Sequence, residues 1–372
     1  MRLLSPIVNR MIYPALGSLG YFHRRALPAS VVNVITYHGV LPPGYEIKYP
    51  PLDNTLVKME SFRSQLRLLK KHYTVISPDQ FLLWLRRQEV LPEKAMLLTC
   101  DDGLLNQVSL MLPVLQEEGL KCLFFVTGSS LTTCTAAGSE PREMLWYMEL
   151  YLMLMEARAQ DGPLVVRGVP IPAISPGREQ REALWHELMR TLSRQSAQLR
   201  REFLEEAAAN FGLHAEWRTN LLDDPLLRER FQVIRLPELM QLVDAEMTIG
   251  AHTLSHPVLA EQPTELAKLE MAECRKALES ALGRPVWAIA YPFGTPLSAA
   301  DREFRMAEEA GYECAFMNVG GSLSRANGGF ALPRIHVTSE MSLAVYEAHV
   351  SGFHHAMRSR LRAEAGAEYP RQ

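Results

Sequence analysis

The stretch that most restricts this chain is Leu97-Leu98-Thr99-Cys100-Asp101-Asp102-Gly103. An apolar run with the character of a buried strand stops at two adjacent carboxylates and a glycine. Two like charges side by side are costly unless a cation or a catalytic task holds them. Asp-Asp-Gly alone is as often a turn as a site. Its position at the end of an apolar strand favours a site.

The surrounding pattern says what kind of sheet that strand joins. Val31 to Tyr37 is a β-branched run ending at His38-Gly39 and reads as the first buried strand. A helix is predicted over 59–72 from the spacing of Phe62, Leu66, Leu68 and Leu69, then a short strand over 73–76. Ser77-Pro78 opens the next helix. A helix over 110–118 closes at Gly119, and 122–126 is another strand. Strands alternating with helices predict a parallel α/β sheet or barrel.

From 131 to 230 the pattern is helical only, over 144–156, 179–194 and 199–211, with a Pro-rich linker at 168–176. Trp146, Tyr147 and Tyr151 give this region a strongly apolar face. Core packing is the expected reading, and a lid or substrate-facing surface is the alternative. The α/β rhythm returns with a helix over 236–243 and a strand over 247–251 ending at His252. A helix over 263–282 follows, with proline in its first turn and Gly283 at its end. Strands over 286–290, 314–317 and 334–337 complete the set, with a helix over 299–310 between the first two. The expected organisation is an N-terminal amphipathic segment (1–30), a barrel built from 31–130 plus 232–355, a helical insertion (131–231) and a charged tail (356–372).

Composition removes several alternatives. The 372 residues suit one large barrel with additions, and a net charge of −3 gives no electrostatic case for nucleic acid. The five cysteines (Cys100, Cys122, Cys134, Cys274 and Cys314) are odd in number and lack paired spacing, which predicts buried free thiols and a reducing compartment. There is no CxxC zinc framework. Residues 1–25 are apolar and basic, but Asn9 and Arg10 interrupt any signal-peptide core. No run of about 18 apolar residues predicts a membrane-crossing helix. The first 25 residues are expected either to pack on the main domain or to lie on a membrane surface.

Four clusters fall at the C-terminal ends of predicted strands: Asp101-Asp102, His252 with His256, Tyr291-Pro292-Phe293-Gly294, and the segment from Leu332 to His336. In barrel-like α/β folds that edge is where active sites form. His252 and His256, four apart, reach one side of a turn or tight loop. Alone they are as readily a surface or capping pair. With a carboxylate they make a two-His, one-carboxylate metal site, suited to Zn2+ as Lewis acid or to another divalent ion. Asp102 can bind the metal, whose charge relieves the repulsion, while Asp101 stays free to take a proton from the attacking water.

Thr99-Cys100-Asp101-Asp102-Gly103 resembles the TFDDG motif of the polysaccharide deacetylases with a NodB homology domain, carbohydrate esterase family 4. His252-Thr253-Leu254-Ser255-His256-Pro257 is similar to that family's H(S/T)xxHP motif, and Ala290-Tyr291-Pro292-Phe293-Gly294 to its RPP(Y/F)G groove motif. Tyr37-His38-Gly39-Val40 resembles the first strand of many members. The resemblance covers about 31–130 and 232–350. It implies a distorted (β/α)7-type, NodB-like barrel interrupted here by the helical insertion. It also implies Asp101 as general base, Asp102, His252 and His256 as metal ligands, and a backbone N–H near Phe293, with Tyr291 and Pro292 beside it, at the oxyanion.

Two departures carry expectations of their own. Cys100 stands where the family has Phe, and Ala290 where the groove motif has the Arg that orients the base. Arg334, on the last strand, is expected to supply that cation; a structural ion pair is the competing reading. His336 is the expected general acid, with His38 as rival. Alternation along the strand leaves open whether Arg334 and His336, or Ile335 and Val337, face the site. His354 and His355 are expected to be solvated. The implied activity is metal-dependent removal of an N-acetyl or N-formyl group from an amino sugar of a polysaccharide or lipid-linked precursor. The odd cysteines and the amphipathic N-terminus without a signal-peptide core add the expectation of a cytoplasmic location, with the inner membrane face as a peripheral site. A metal-dependent amidohydrolase on a non-sugar amide or imide, and a catalytically silent carbohydrate-binding protein, are the alternatives.

Overall fold

In a computed structural model, which describes residues 7–25, 27–132, 143–325 and 328–364, the alternating strands and helices build one mostly parallel sheet. Its strands are β1 (Val31–Tyr37), β2 (Thr74–Ile76), β3 (Ala95–Cys100), β4 (Leu123–Val126), β5 (Thr248–Ala251), β6 (Ala288–Ala290), β7 (Cys314–Phe316), β8 (Leu323–Ser324) and β9 (Ile335–His336). β1 pairs in parallel with β3 and β9, and antiparallel with β8 at its start. From β3 the order runs through β4, β5 and β6 to β7, with β2 alongside the first half of β3. The segment leading into β9 joins the two ends: Leu332 bridges Phe316 of β7, and Ile335–His336 pair β1. The sheet therefore curls on itself as the expected distorted barrel.

Side-chain alternation divides the strands into two faces. Ile35, Tyr37, Met96, Leu98, Cys100 and Phe124 look outward, onto helices such as α1 (Met59–His72) with its Phe62, Leu66 and Leu69. Val34, Leu97, Leu123, Phe125 and Phe316 look inward, where helix Pro78–Leu85 inserts Phe81 and Trp84 among them. That helix starts where expected, through a reciprocal Ser77–Gln80 capping box and Pro78 in the first turn. Cys100 belongs to the outer layer, against Met111, which explains why a small thiol is accepted at this position.

β4 and β5 are neighbours in register, Leu123 opposite Thr248 through Val126 opposite Ala251. Between them the chain makes its long excursion, with helices α2 (Trp146–Glu156), α3 (Arg178–Ser193) and α4 (Ala197–Asn210). The excursion is not wholly helical as expected. Leu164–Val166 and Val169–Ile171 form an antiparallel hairpin, the second strand falling in the expected linker. Arg167 and Gly168 adopt φ of 51° and 78°, the paired left-handed residues of a tight hairpin turn. A separate apolar core forms here, joining Trp146, Leu150, Phe203 and Phe231 to Tyr49 and Leu56. Arg230 and Asp53, both fully buried, meet at 2.8 Å across that junction.

The two ends of the chain pack together. Tyr13 and Phe22 are buried against α5 (Leu343–Val350) and α6 (Phe353–Glu364), and the Tyr13 hydroxyl lies 2.7 Å from His354 Nδ1. The expected charged tail is thus helical to Glu364, and residues 365–372 lie outside the described residues. His354 is only partly solvated, since Tyr13 and a stacked His349 cover part of its ring, whereas His355 is exposed. Cys100, Cys122, Cys274 and Cys314 are buried free thiols; Cys134 lies outside the described residues. Among the described residues no helix is long and apolar enough to cross a membrane.

Candidate active site

The inward row of β3 continues past Leu97 and Thr99 to Asp101, so this carboxylate hangs over the barrel interior. Arg334 rises to meet it. Its Nη1 and Nη2 each donate to one Asp101 oxygen at 2.6 Å, its Nε donates to the Met317 carbonyl at 3.1 Å, and it is fully buried. Phe125 and Phe316 pack against the guanidinium at 5.4 and 5.8 Å. Burial pushes the Asp101 carboxyl up. The charges of Arg334 and then His252 outweigh that and hold it below its ordinary value. Gln107 Nε2 donates to the Asp101 carbonyl and, at 3.1 Å, to that of His38, fixing the turn from behind.

Asp102 turns the other way. Its φ of 82° swings the carboxylate toward the loop after β5, where Oδ1 lies 3.4 Å from His252 Nε2 and 3.2 Å from His256 Nε2. His252 Nδ1 lies 2.8 Å from the Ala290 carbonyl of β6, which orients the ring so that Nε2 points at Asp102. Burial opposes the Asp102 charge, but hydrogen bonds with His252 and His256 hold the carboxyl well below the usual range. Burial lowers His256, against the pull of Asp102. One ligand atom from each of Asp102, His252 and His256 lies within 4.8 Å of the others, all three buried. Two imidazoles and one carboxylate converging on a point are a donor set that fits Zn2+ or a similar divalent cation.

Backbone strain concentrates at this spot. Of eight non-glycine residues with positive φ among the described residues, four are here: Asp102 (82°), Thr253 (63°), His256 (59°) and Phe293 (62°). Such conformations persist only where surrounding contacts over-determine them. Trp146 Nε1 donates to the His256 carbonyl at 2.8 Å, and the Tyr147 ring stacks on His256 at 4.9 Å. Phe293 closes the other side at 5.0 Å. Gly294 must be glycine: at φ 60° a Cβ would sit 2.5 Å from the Asn318 nitrogen. The loop between the two histidines is anchored at Ser255, whose N–H donates to Glu270 Oε2 at 2.7 Å, with Arg200 beside the same carboxylate at 3.3 Å.

The remaining predicted residues divide. Val337 joins the outer core and Arg334 meets Asp101, so Arg334 and His336 take the inward register. His336 and His38 lie together, ring centroids 4.7 Å apart, and His336 Nε2 and His38 Nδ1 are buried without hydrogen-bond partners. Burial, then His38, lowers His336 to about 3. Tyr291 is not brought to the site by its side chain: it packs outward on Phe304 and donates to the Phe330 carbonyl at 3.1 Å. Of the groove motif, Phe293 is the ring on the histidines and Pro292 is a buried turn residue. Sequence reasoning missed the Trp146 and Tyr147 contacts, for which adjacent aromatics at a helix start were the one signal. It also missed the Arg200–Glu270 anchor, for which the sequence carried none.

Residues 219–315 match the family model of the polysaccharide deacetylases. YxkH of Bacillus subtilis, whose name assigns it to the same group, is 25% identical over 113 residues, 30% of this chain. The match spans only 39% of that relative's length. Among solved structures, the Streptococcus pyogenes deacetylase PplD in complex with acetate is similar at a TM-score of 0.54 and 16% identity, over 86% of this chain and 98% of that one. IcaB from Ammonifex degensii is similar at a TM-score of 0.52 and 16% identity, over 87% and 99%. At these identities the structural likeness establishes the fold, a curled parallel sheet common to all three.

Proposed function

We infer, from the polysaccharide-deacetylase signature over residues 219–315 and a fold shared over 86% of its length with a structure of that kind, that the chain is polysaccharide deacetylase-like. We propose that it hydrolyses the acetamide, or formamide, C–N bond of an amino sugar. The observation that carries this reading is the division of labour in one carboxylate pair. Asp101 is locked to Arg334, and Asp102 is turned to two histidines.

Asp102, His252 and His256 would hold a divalent cation, which would supply Lewis acidity for hydrolysis of the amide. Asp101, kept ionised by Arg334, accepts the proton of the attacking water. Arg334 fixes both oxygens, so the base has one orientation. A backbone N–H near Phe293, held at positive φ by the turn before Gly294, donates to the tetrahedral oxyanion. His336, uncharged at the outset because of burial and His38, carries the proton to the leaving amine, with His38 within reach to share it. Acetate or formate and the free amine are the products.

The same reading extends to the setting. The exposed apolar side chains at the N-terminus, Ile7, Met11, Leu19 and Tyr21, suit peripheral contact with the cytoplasmic face of a membrane. A lipid-linked sugar precursor fits that location better than a finished polymer. The test is acetate release from an N-acetylated chitooligosaccharide and from N-acetylated and N-formylated amino-sugar precursors by the zinc-loaded protein. Expected results are turnover that a chelator abolishes and zinc restores, and about 10²–10⁴-fold loss in Asp101→Asn with zinc still bound. Bound zinc without release of acetate or formate from any of these sugars would refute the proposal.

A further inference from the structure

Beside the catalytic edge lies a cavity of about 530 Å3, within the range of roughly 300–1,000 Å3 common for small-molecule sites. It runs from His336 and the loop at Asn318 across to His349, His354, His355 and Arg358 on α5 and α6. No side chain in its lining is acidic. Arg334 touches it too, but that guanidinium is taken by Asp101. Arg358 is not so engaged: it is exposed, and its field falls on His349 and His354, which burial and this neighbour hold to about 3 and about 4. His336 contributes a buried, unpartnered Nε2 at the inner end.

The chemistry of this wall is one-sided. It combines an unneutralised guanidinium with imidazoles that can each donate an N–H. The donors arrive from three separate segments, the β9 end, α5 and α6. A planar carboxylate meets donors along two lone-pair directions. A tetrahedral phosphate accepts from several directions at once, and Arg is the side chain best matched to it. The inner end at His336 adjoins Arg334, the partner of Asp101, and the outer end opens between α5 and α6.

We propose that this cavity is a subsite for a phosphate ester borne by the amino sugar whose amide is cleaved at Asp101. The inference rests on the deacetylase reading above and narrows its substrate to a phosphorylated or lipid-phosphate-linked sugar. Arg358 and His355 are its outer donors, and His354 its inner one.

The test measures binding of the free-amine product, which is not turned over, to the zinc-loaded full chain by calorimetry. One ligand is a 2-amino sugar carrying a 1-phosphate methyl ester, and the other is the corresponding methyl glycoside. The phosphate ester is expected to bind at least about tenfold tighter. Arg358→Gln and His355→Gln, both at exposed positions, are each expected to reduce that preference, and together to bring the ratio near one. Equal affinity of the two ligands for the unaltered protein would overturn the subsite. So would a preference that survives both substitutions, or an equal gain from a 6-carboxylate in place of the phosphate. A polyprenyl phosphodiester in neutral vesicles that binds tighter than the methyl ester assigns the phosphate to a lipid carrier. Equal binding assigns it to a soluble sugar phosphate, and either result supports the subsite. Failure of acetate release, by contrast, counts against the deacetylase and leaves these binding ratios to stand or fall alone.

Discussion

Arg334 is a fully buried cation with its charge matched oxygen for nitrogen by Asp101. Removing one member of such a pair leaves the other charged and dry, at a cost of about 3–5 kcal/mol. Arg334→Met should therefore lower stability by that order in chemical denaturation. Its effect on the reaction has a sharper signature. Without the guanidinium, the largest charge opposing burial is lost and the pKa of Asp101 rises, so the acidic limb of kcat/KM should move to higher pH. A limb that stays in place would show that Arg334 is only a structural partner. The same shift has a stability consequence. Asp101 is held low in the fold, so its contribution is complete above the unfolded value of about 4 and is lost as pH falls through the folded one. The acid-unfolding midpoint of Arg334→Met should move up accordingly. The sequence pointed to this arginine only through a gap, Ala290 where the groove motif carries Arg. Alternation could not choose between the two registers of residues 334–337, because both rows hold residues able to face a site. Packing decides it, through Val337 in the outer core and the pairing of Arg334 with Asp101.

At the scale of elements, α2 is what turns the excursion between β4 and β5 into part of the active site. Its first two residues, Trp146 and Tyr147, grip His256 by a hydrogen bond to its carbonyl and a stacked ring on its imidazole. His256 sits at φ 59°, so its loop needs such support. Trp146→Phe keeps the ring and deletes the donor, leaving a buried carbonyl unpaired at about 1–3 kcal/mol. Zinc affinity, read by competition with a chromogenic chelator, should fall about 10–100-fold, as for other groups that orient ligands. A drop in melting temperature with unchanged zinc affinity would reduce Trp146 to core packing. The helices and strands of the barrel were legible because periodicity and terminators coincide, as at Ser77-Pro78 and Gly119. The hairpin was not, since its turn is Arg167-Gly168, without the asparagine or aspartate that usually marks such turns. Nor could periodicity reveal that α2 faces the histidines. Its buried face runs nearly all round, from Trp146 to Leu154, and gives no direction.

For the whole molecule, the proposed membrane setting rests on the terminal helices. Tyr13 and Phe22 are spent inward, packed with Phe353 and bonded to His354, so they hold the N-terminus on the barrel. The side chains left over are Ile7 (50% exposed), Met11 (67%), Ile12 (42%), Leu19 (69%) and Tyr21 (48%), with Arg10 and Arg24 exposed among them and Arg358 and Arg360 on the adjoining helix. Apolar groups that insert and arginines that meet lipid phosphates are the two ingredients of interfacial binding, the latter worth about 1 kcal/mol each near an anionic surface. The net charge of −3 opposes general attraction, so any binding must be local to this corner. The full chain should float with vesicles rich in anionic lipid, weaken in high salt, and bind phosphatidylcholine vesicles less. Met11→Glu with Leu19→Glu should abolish flotation. Both positions face water in the fold, so the melting temperature should hold to within about 0.5 kcal/mol of stability. Flotation unaffected by the double substitution would remove this surface from the account, and with it the reason to expect a lipid-borne sugar at the site.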